Sequence, residues 1–270
     1  MCLRFLSFAV AVLFLCAGFG YATELKVCAD PDALPFSNRA QQGFENNLAE
    51  MLARDMHSHL IYTWQRMGRG FVRNFVNKGQ CDVVLGIPSN FRQMLTTDPY
   101  YRSTYVFVTR KSRKLHLASF DDARLRSMRV GVQVVGEEYT PPALALGRRG
   151  LLANIVGFET TGTRAESLVR AVLDGKVDAA VVWGPLAGYF AKQHPAALDI
   201  SPVPEVDIPA LPFTFMISMG VRKGNTELRD RLNQFLSRRR PEIERLLRSY
   251  GTPMLPIGNV GSAKQARLTR

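Results

Sequence analysis

Thr97-Asp98-Pro99-Tyr100-Tyr101-Arg102-Ser103-Thr104-Tyr105-Val106-Phe107-Val108 reads as the end of one α/β lobe followed by an apolar strand that leaves it. Upstream, residues 25–30 and 82–87 are two more short apolar strands, with helical sequence in between. A lobe that exports its chain along a strand, with further α/β sequence downstream, implies a two-lobed protein with a cleft between the lobes.

Working outward, the strand at residues 25–30 runs into a proline-rich loop, Pro31 to Pro35, at its carboxyl end. In open α/β sheets ligands sit at that end of the strands. Gly43-Phe44 precedes a helix to about His57, with Leu48, Met51, Leu52 and Met56 at helical spacing. Residues 60–64 alternate as a second strand, residues 70–78 are helical up to Gly79, and residues 81–87 form the third strand. Strand, helix, strand, helix, strand predicts right-handed parallel connections and a sheet covered on both faces. The same grammar returns downstream: strands at 128–135, 155–159 and 178–183, helices opening at Pro141, at 163–173 and at Gly184-Pro185. Strands at 198–203 and 213–221 bring the chain back. Two terminal helices are expected, near 226–238 and 242–249, with Pro241 at their joint. The predicted division is residues 23–108 and 206–257 in lobe 1 and residues 109–205 in lobe 2. Hinges fall near 108–111 and 203–213, and residues 258–270 form a flexible basic tail.

The chain has 270 residues, 46% of them apolar, which is enough for two domains with ordinary cores. Its first 22 residues read as a secretory leader: Arg4, then an almost unbroken apolar run from Phe5 to Cys16, then Gly20-Tyr21-Ala22 for cleavage after Ala22. That run is shorter than the ~20 residues of a membrane span. Leu15 is too large for the position before a lipidated cysteine. Secretion is expected, with no membrane span in the mature chain. Two cysteines then remain, Cys28 and Cys81. In an oxidising compartment such a pair is usually bonded, and closing a loop of ~50 residues stabilises by about 4 kcal/mol in chain-entropy models. The leader holds one arginine and no acid, so its removal lowers the formal charge from +12 to +11. A charge of that size speaks to association with an acidic partner or anionic surface. It does not indicate nucleic acid, because the basic residues form no module with interleaved exposed aromatics.

Catalytic patterns are missing from the sequence. There is no G-x-S-x-G elbow, no H-E-x-x-H, and Met67-Gly68-Arg69-Gly70 lacks the spacing of a phosphate loop. His57 and His59 are two apart, which in a helix puts them on different faces. Asp30 with Asp32 supplies only part of an oxygen cage for a hard cation. No metal, no cofactor and no enzymatic activity are expected. The cleft candidates are better placed: Phe36, Ser37 and Asn38 after the first strand, and Arg92 after the third, where a guanidinium can take a carboxylate. Tyr100, Tyr101 and Arg102 lie at the crossover, and Glu137, Tyr139, Thr161, Trp183 and Pro185 at the matching edges of lobe 2.

Leu25 to Asp30, Gly43-Phe44-Glu45, Gly79 to Val84, Asp98-Pro99-Tyr100-Tyr101 and Met128 to Val132 together resemble a type-2 periplasmic solute-binding protein, the superfamily of the polar amino-acid receptors of ABC importers. The resemblance covers essentially the whole mature chain. It implies an α/β fold of two lobes with a central cleft and hinge strands. Val27-Cys28-Ala29-Asp30-Pro31, Leu34-Pro35-Phe36-Ser37-Asn38, Gly43-Phe44-Glu45-Asn46, Cys81-Asp82-Val83-Val84, the Tyr100–Phe107 phrase and Val182-Trp183-Gly184-Pro185-Leu186-Ala187-Gly188-Tyr189 narrow it. They are similar to the binding-protein homologues associated with PQQ-dependent methanol dehydrogenases, the J proteins of methanol-oxidation gene clusters. That branch implies a non-enzymatic accessory protein whose partner is the methanol dehydrogenase, with a small ligand or a peptide segment as a further candidate for the cleft. The wider superfamily implies instead a transport receptor for a small polar or anionic solute. Two departures bear on the choice: Gly-Phe-Glu-x-Asp becomes Gly43-Phe44-Glu45-Asn46-Asn47, and lobe 2 offers only Glu137 or Glu138 to meet a substrate ammonium.

Overall fold

The computed structural model describes residues 23–135, 138–207 and 211–257. The expected leader, the basic tail and Glu137 fall outside them. The chain opens with β1 (Thr23–Ala29), the short strands β2 (Asp32–Ala33) and β3 (Ser37–Asn38), helix α1 (Phe44–Asp55) and β4 (Ser58–Trp64). A π-helical turn over Val72–Val76, β5 (Val83–Pro88), β6 (Leu95–Thr96) and the long β7 (Tyr101–Arg110) come next. Beyond them lie β8 (Val130–Val135), β9 (Glu138–Tyr139), α2 (Pro141–Arg148), β10 (Ile155–Glu159), α3 (Ser167–Leu173), β11 (Ala179–Trp183), α4 (Gly184–Gln193) and β12 (Leu198–Pro202). β13 (Thr214–Val221) and α5 (Thr226–Ser249) complete the fold.

The strands run β10-β8-β11-β7-β13-β5-β1-β4. β4, β1 and β5 are parallel at one end, β10, β8 and β11 are parallel at the other, and β7 and β13 join them antiparallel. The two parallel groups are the βαβ units that the alternation of strand and helix predicts. β7 is the joint. Tyr101 to Thr104 pair with β13, whereas Tyr105 to Thr109 pair with β11. The change of partner therefore falls between Thr104 and Tyr105, ahead of the 108–111 hinge that the sequence pointed to. Arg102, Ser103 and Thr104 stand before this point and the apolar Val106 to Val108 after it, within one unbroken strand, so the change of partner is marked by the neighbouring strands.

Both faces of each group are covered, as their near-continuous apolar strands require. α1 and α5 close one face of the first group with Phe44, Leu48, Leu52, Phe235 and Leu247, and Phe71, Val72 and Val76 close the other. In the second group, Leu146 of α2 and Phe120 lie on one face and α3 with α4 on the other. Cys28 in β1 and Cys81, just before β5, are disulfide-bonded with Cα atoms 5.4 Å apart. The residues expected as a helix at 70–78 form the π-helical turn, ended by Gly79 at φ +69°. α3 begins at Ser167, after a 3-10 turn at Gly162–Arg164, later than expected.

The two predicted terminal helices are one. α5 runs through Pro241 without a break. A proline in a helix interior costs about 3 kcal/mol. Leu232, Phe235 and Leu236 before it, and Ile243 and Leu247 after it, are all buried in the same core. At about 1.5–3 kcal/mol for each large apolar side chain, their burial outweighs the proline.

Candidate functional site

The carboxyl ends of β1, β5 and β11 converge on one cavity of about 260 Å³. β1 supplies Cys28 and Ala29 and leads into Asp30. The loop beyond it supplies Phe36 and Ser37, β5 supplies Val84 to Gly86, the start of β7 supplies Tyr101, and β11 supplies Trp183. Trp183 crosses from the second strand group to pack on the core of the first, and Phe36 packs against the cores of both. A second cavity shares Gly86, Trp183 and Ile217 with the first and adds Tyr105, Gln133, Thr140 and Phe215. Gln133 Oε1 accepts from the Trp183 backbone N–H at 2.7 Å, and the Trp183 ring stands edge-on to Tyr105 and Phe215 at 5.4 and 5.8 Å. β2 touches the Gly162–Arg164 turn across the opening, so the two strand groups meet at the mouth as well as at the joint.

Glu45 is the chemical centre of this cleft. It lies in the first turn of α1, and its carboxyl makes no hydrogen bond or ion pair with another described residue. Burial is the larger reason that its pKa is pushed up to about 8, and the neighbouring Asp30 carboxylate adds to it. The carboxyl lies over Gly86, where an added Cβ would come within 2.3 Å of Glu45 Oε1. Gly86 also has φ +71°, so both space and backbone call for glycine there. Asp30 accepts the Asp32 N–H at 2.9 Å and faces Arg66 at 3.9 Å.

Of the residues expected at the cleft, Phe36, Ser37, Tyr101 and Trp183 come together in this cavity. Ser37 is buried and donates to the Asp30 carbonyl at 2.8 Å, which holds the loop against the strand end. Tyr100 accepts the Gly86 N–H at 3.1 Å, bracing the β5 end from behind. Burial pushes both tyrosine phenols well above their ordinary range, so they stay neutral. Arg102 is bound to Glu205 at 2.6 Å and to Thr214 Oγ1 at 3.2 Å, and lines a separate cavity with Arg240, Glu244 and Arg248. Asn38 is used in a turn with Gln42, and Pro185 is buried in the first turn of α4. Arg92 is exposed and lines none of these cavities, and neither does Thr161, which donates to Glu159 at 2.6 Å. Tyr139 lies in β9, and Glu137 is outside the described residues.

The Asn in place of Asp in the Gly-Phe-Glu phrase has a local reason. Asn47 Nδ2 donates to the Gly43 carbonyl at 2.9 Å and to the Tyr250 hydroxyl oxygen at 3.0 Å, which a carboxylate could not do. The position ties α1 to the end of α5. Among the described residues no group of three His, Cys, Asp or Glu side chains is placed to hold a metal ion, and no helix is long and apolar enough to cross a membrane.

The fold and the cleft at the strand ends are those of a type-2 periplasmic binding protein. The chain belongs to the bacterial extracellular solute-binding proteins of family 3, whose model matches residues 25–253. It is 32% identical over 257 residues to protein MoxJ of Methylorubrum extorquens, covering 88% of this chain and 84% of that one. The crystal structure of MxaJ from Methlophaga aminisulfidivorans MPT superposes with a TM-score of 0.76 at 30% identity, over 86% of this chain and all of the other. That of the periplasmic binding protein XoxJ from Methylobacterium extorquens AM1 gives 0.71 at 36% identity, over 86% and 99%. Within the family, then, this is a MoxJ-like periplasmic binding protein.

Proposed function

We propose that this is a non-enzymatic periplasmic accessory protein of PQQ-dependent methanol oxidation, which binds the apo form of the methanol dehydrogenase and assists its maturation. The observation that carries the reading is the similarity to MoxJ, MxaJ and XoxJ over 86–88% of the chain. In this reading residues 1–22 are a leader cleaved near Ala22, residues 23–108 with 206–257 and residues 109–205 act as two lobes, and closure of the lobes is the moving part.

The outer surface supports a protein partner. α5 exposes Arg231, Arg240, Arg245 and Arg248, none of which is ion-paired with another described residue, and Arg222 and Lys223 are exposed just before it. Such a face favours an acidic surface and steers association at low salt. Capture of the apo-dehydrogenase by the immobilised mature protein tests the reading. Retention is expected, weakening from low to physiological salt and falling further in an Arg240→Glu/Arg248→Glu variant. An absence of binding at both salt concentrations would overturn it.

The second reading is a transport receptor for a small polar solute, and the Glu45 cavity at the strand ends is what favours it. A small molecule that survives desalting, with no dehydrogenase complex, is its expected signature in native mass spectrometry.

A further inference from the structure

The cavity at the strand ends is lopsided in charge. Two carboxyl groups line it, Glu45 and Asp30, and among the described residues no lysine, arginine or histidine does. Asp30 is shared with Arg66 only at 3.9 Å, and Arg66 is more than half exposed. Glu45 has no partner among the described residues. The remaining wall is mostly apolar and includes three aromatic side chains, Phe36, Tyr101 and Trp183.

We propose that this cavity takes one small organic ammonium ion, an amine on a compact apolar body with no carboxylate of its own, held by Glu45 and Asp30 within the Phe36–Tyr101–Trp183 wall. An anion would meet two acids and no cation. An α-amino acid would need a cation for its carboxylate, and Arg92 is exposed outside the cavity. Aromatic walls favour a cation with apolar substituents, through ring quadrupoles and apolar contact together. A volume of about 260 Å³ lies just under the range of about 300–1,000 Å³ for drug-sized ligands, so a single small molecule fits and a peptide segment does not.

Binding also moves a proton. Near neutrality Glu45 is largely protonated, for the burial and Asp30 repulsion given above. The groups packed around it are Asp30, Tyr62, Tyr100 and Tyr101, with Arg66 beyond Asp30. All three phenols are raised by burial and stay neutral. When the ammonium enters, the Glu45 O–H bond breaks, its proton leaves to solvent, and the carboxylate pairs with the ligand nitrogen. The charge of the occupied cavity is then unchanged.

The inference rests on reading the cavity as a binding cleft, and it is tested separately from dehydrogenase binding. The probes are cyclohexylamine and cyclohexanecarboxylate, of matched size and opposite charge, in titration calorimetry of the mature protein at pH 6.5 and 8.5. Aliphatic amines stay protonated over this range. The amine is expected to bind at least about tenfold more tightly at pH 8.5, in step with the ionisation of Glu45. At pH 6.5, runs in two buffers of different ionisation enthalpy should report about one proton released, which needs no variant. The carboxylate should not bind. Glu45→Gln should lose at least about tenfold in amine affinity at pH 8.5, along with the pH dependence. Equal binding of the carboxylate, no amine binding at millimolar concentration, or an unchanged Glu45→Gln protein would overturn the inference. Apo-dehydrogenase capture on the same wild-type sample separates the two ideas. Capture without amine binding sinks only the ligand class, and amine binding without capture sinks only the accessory role.

Discussion

Gly188 of α4 and Gly251, just beyond α5, meet backbone to backbone: a Cβ on Gly188 would lie 1.9 Å from the Gly251 carbonyl oxygen. The contact joins the two strand groups behind the cleft. Around it Tyr189 stacks on Tyr250 at 5.9 Å, Lys192 donates to the Ser249 carbonyl at 2.7 Å, and Ser103 donates to the Pro253 carbonyl at 2.5 Å. Backbone cannot give way as a side-chain tip can, so Gly188→Ala must push the two elements apart. Urea unfolding should show a loss of about 1–3 kcal/mol, the usual range for overpacking. The small-angle scattering radius should rise, whereas Gly68→Ala, with open space around its Cβ position, should leave that radius unchanged.

Glu45 makes stability fall as pH rises. Its folded pKa of about 8 exceeds the ordinary value of 4.5, so at low pH both states hold the proton and the group contributes no penalty. Between pH 4.5 and 8 the unfolded chain ionises while the folded protein stays protonated, which favours unfolding by up to about 1.4 kcal/mol per pH unit. Glu45→Gln should flatten this slope and be more stable than wild type at pH 8. Denaturation midpoints at pH 5, 6.5 and 8 measure it, and parallel curves for the two proteins would contradict the burial argument.

Arg149 clamps two aspartates of unequal worth. It donates to Asp207 at 2.5 and 3.0 Å and to Asp121 at 2.7 and 3.0 Å, with its guanidinium 5.7 Å from the Phe120 ring centre. The Asp207 side chain is 6% exposed and that of Asp121 72%. Arg149→Met strands a buried carboxylate and should cost about 3 kcal/mol or more. Asp121→Asn removes a solvated partner and should cost under about 1 kcal/mol. Equal losses in urea unfolding would show that exposure does not rank these pairs.

Pro241 is a removable flaw in α5. The position is exposed and helical, so alanine there restores a backbone donor without disturbing the buried stripe. Pro241→Ala should raise stability by about 1–3 kcal/mol, less than the full helix-interior cost because proline also restricts the unfolded chain. A loss of stability instead would mean that a bend at this residue is needed to seat Ile243 and Leu247.

Much of the architecture was legible because its cause is local. The strand at Ile155–Glu159 and the helix at Gly184–Gln193 fall where alternation and the Gly-Pro start place them. The Cys28–Cys81 pairing was readable from two cysteines on or beside strands of one sheet. Phe36, Ser37, Tyr101 and Trp183 were legible as cleft residues because each sits at or beside a strand end. Glu45 was not singled out, although its Gly-Phe-Glu phrase was in view. Nothing in α1 marks one acid as partly withdrawn from solvent, since Gly86, over which its carboxyl lies, is on a strand distant in sequence. Arg92 lies beyond the end of β5 as expected, but a loop leaving a strand end can carry its side chains outward to solvent, and Arg92 is exposed.

The sequence by itself determined most of the elements, their order, the two α/β units and the disulfide, because periodicity, capping residues and proline or glycine stops act over a few residues. Tertiary structure alone decided where β7 changes partner, that α5 continues through Pro241, and that Glu45, unpaired among the described residues, meets Asp30 in a cavity with Phe36, Tyr101 and Trp183. Those outcomes are settled by contacts between segments far apart in the chain, where the burial of many side chains at once outweighs any local preference.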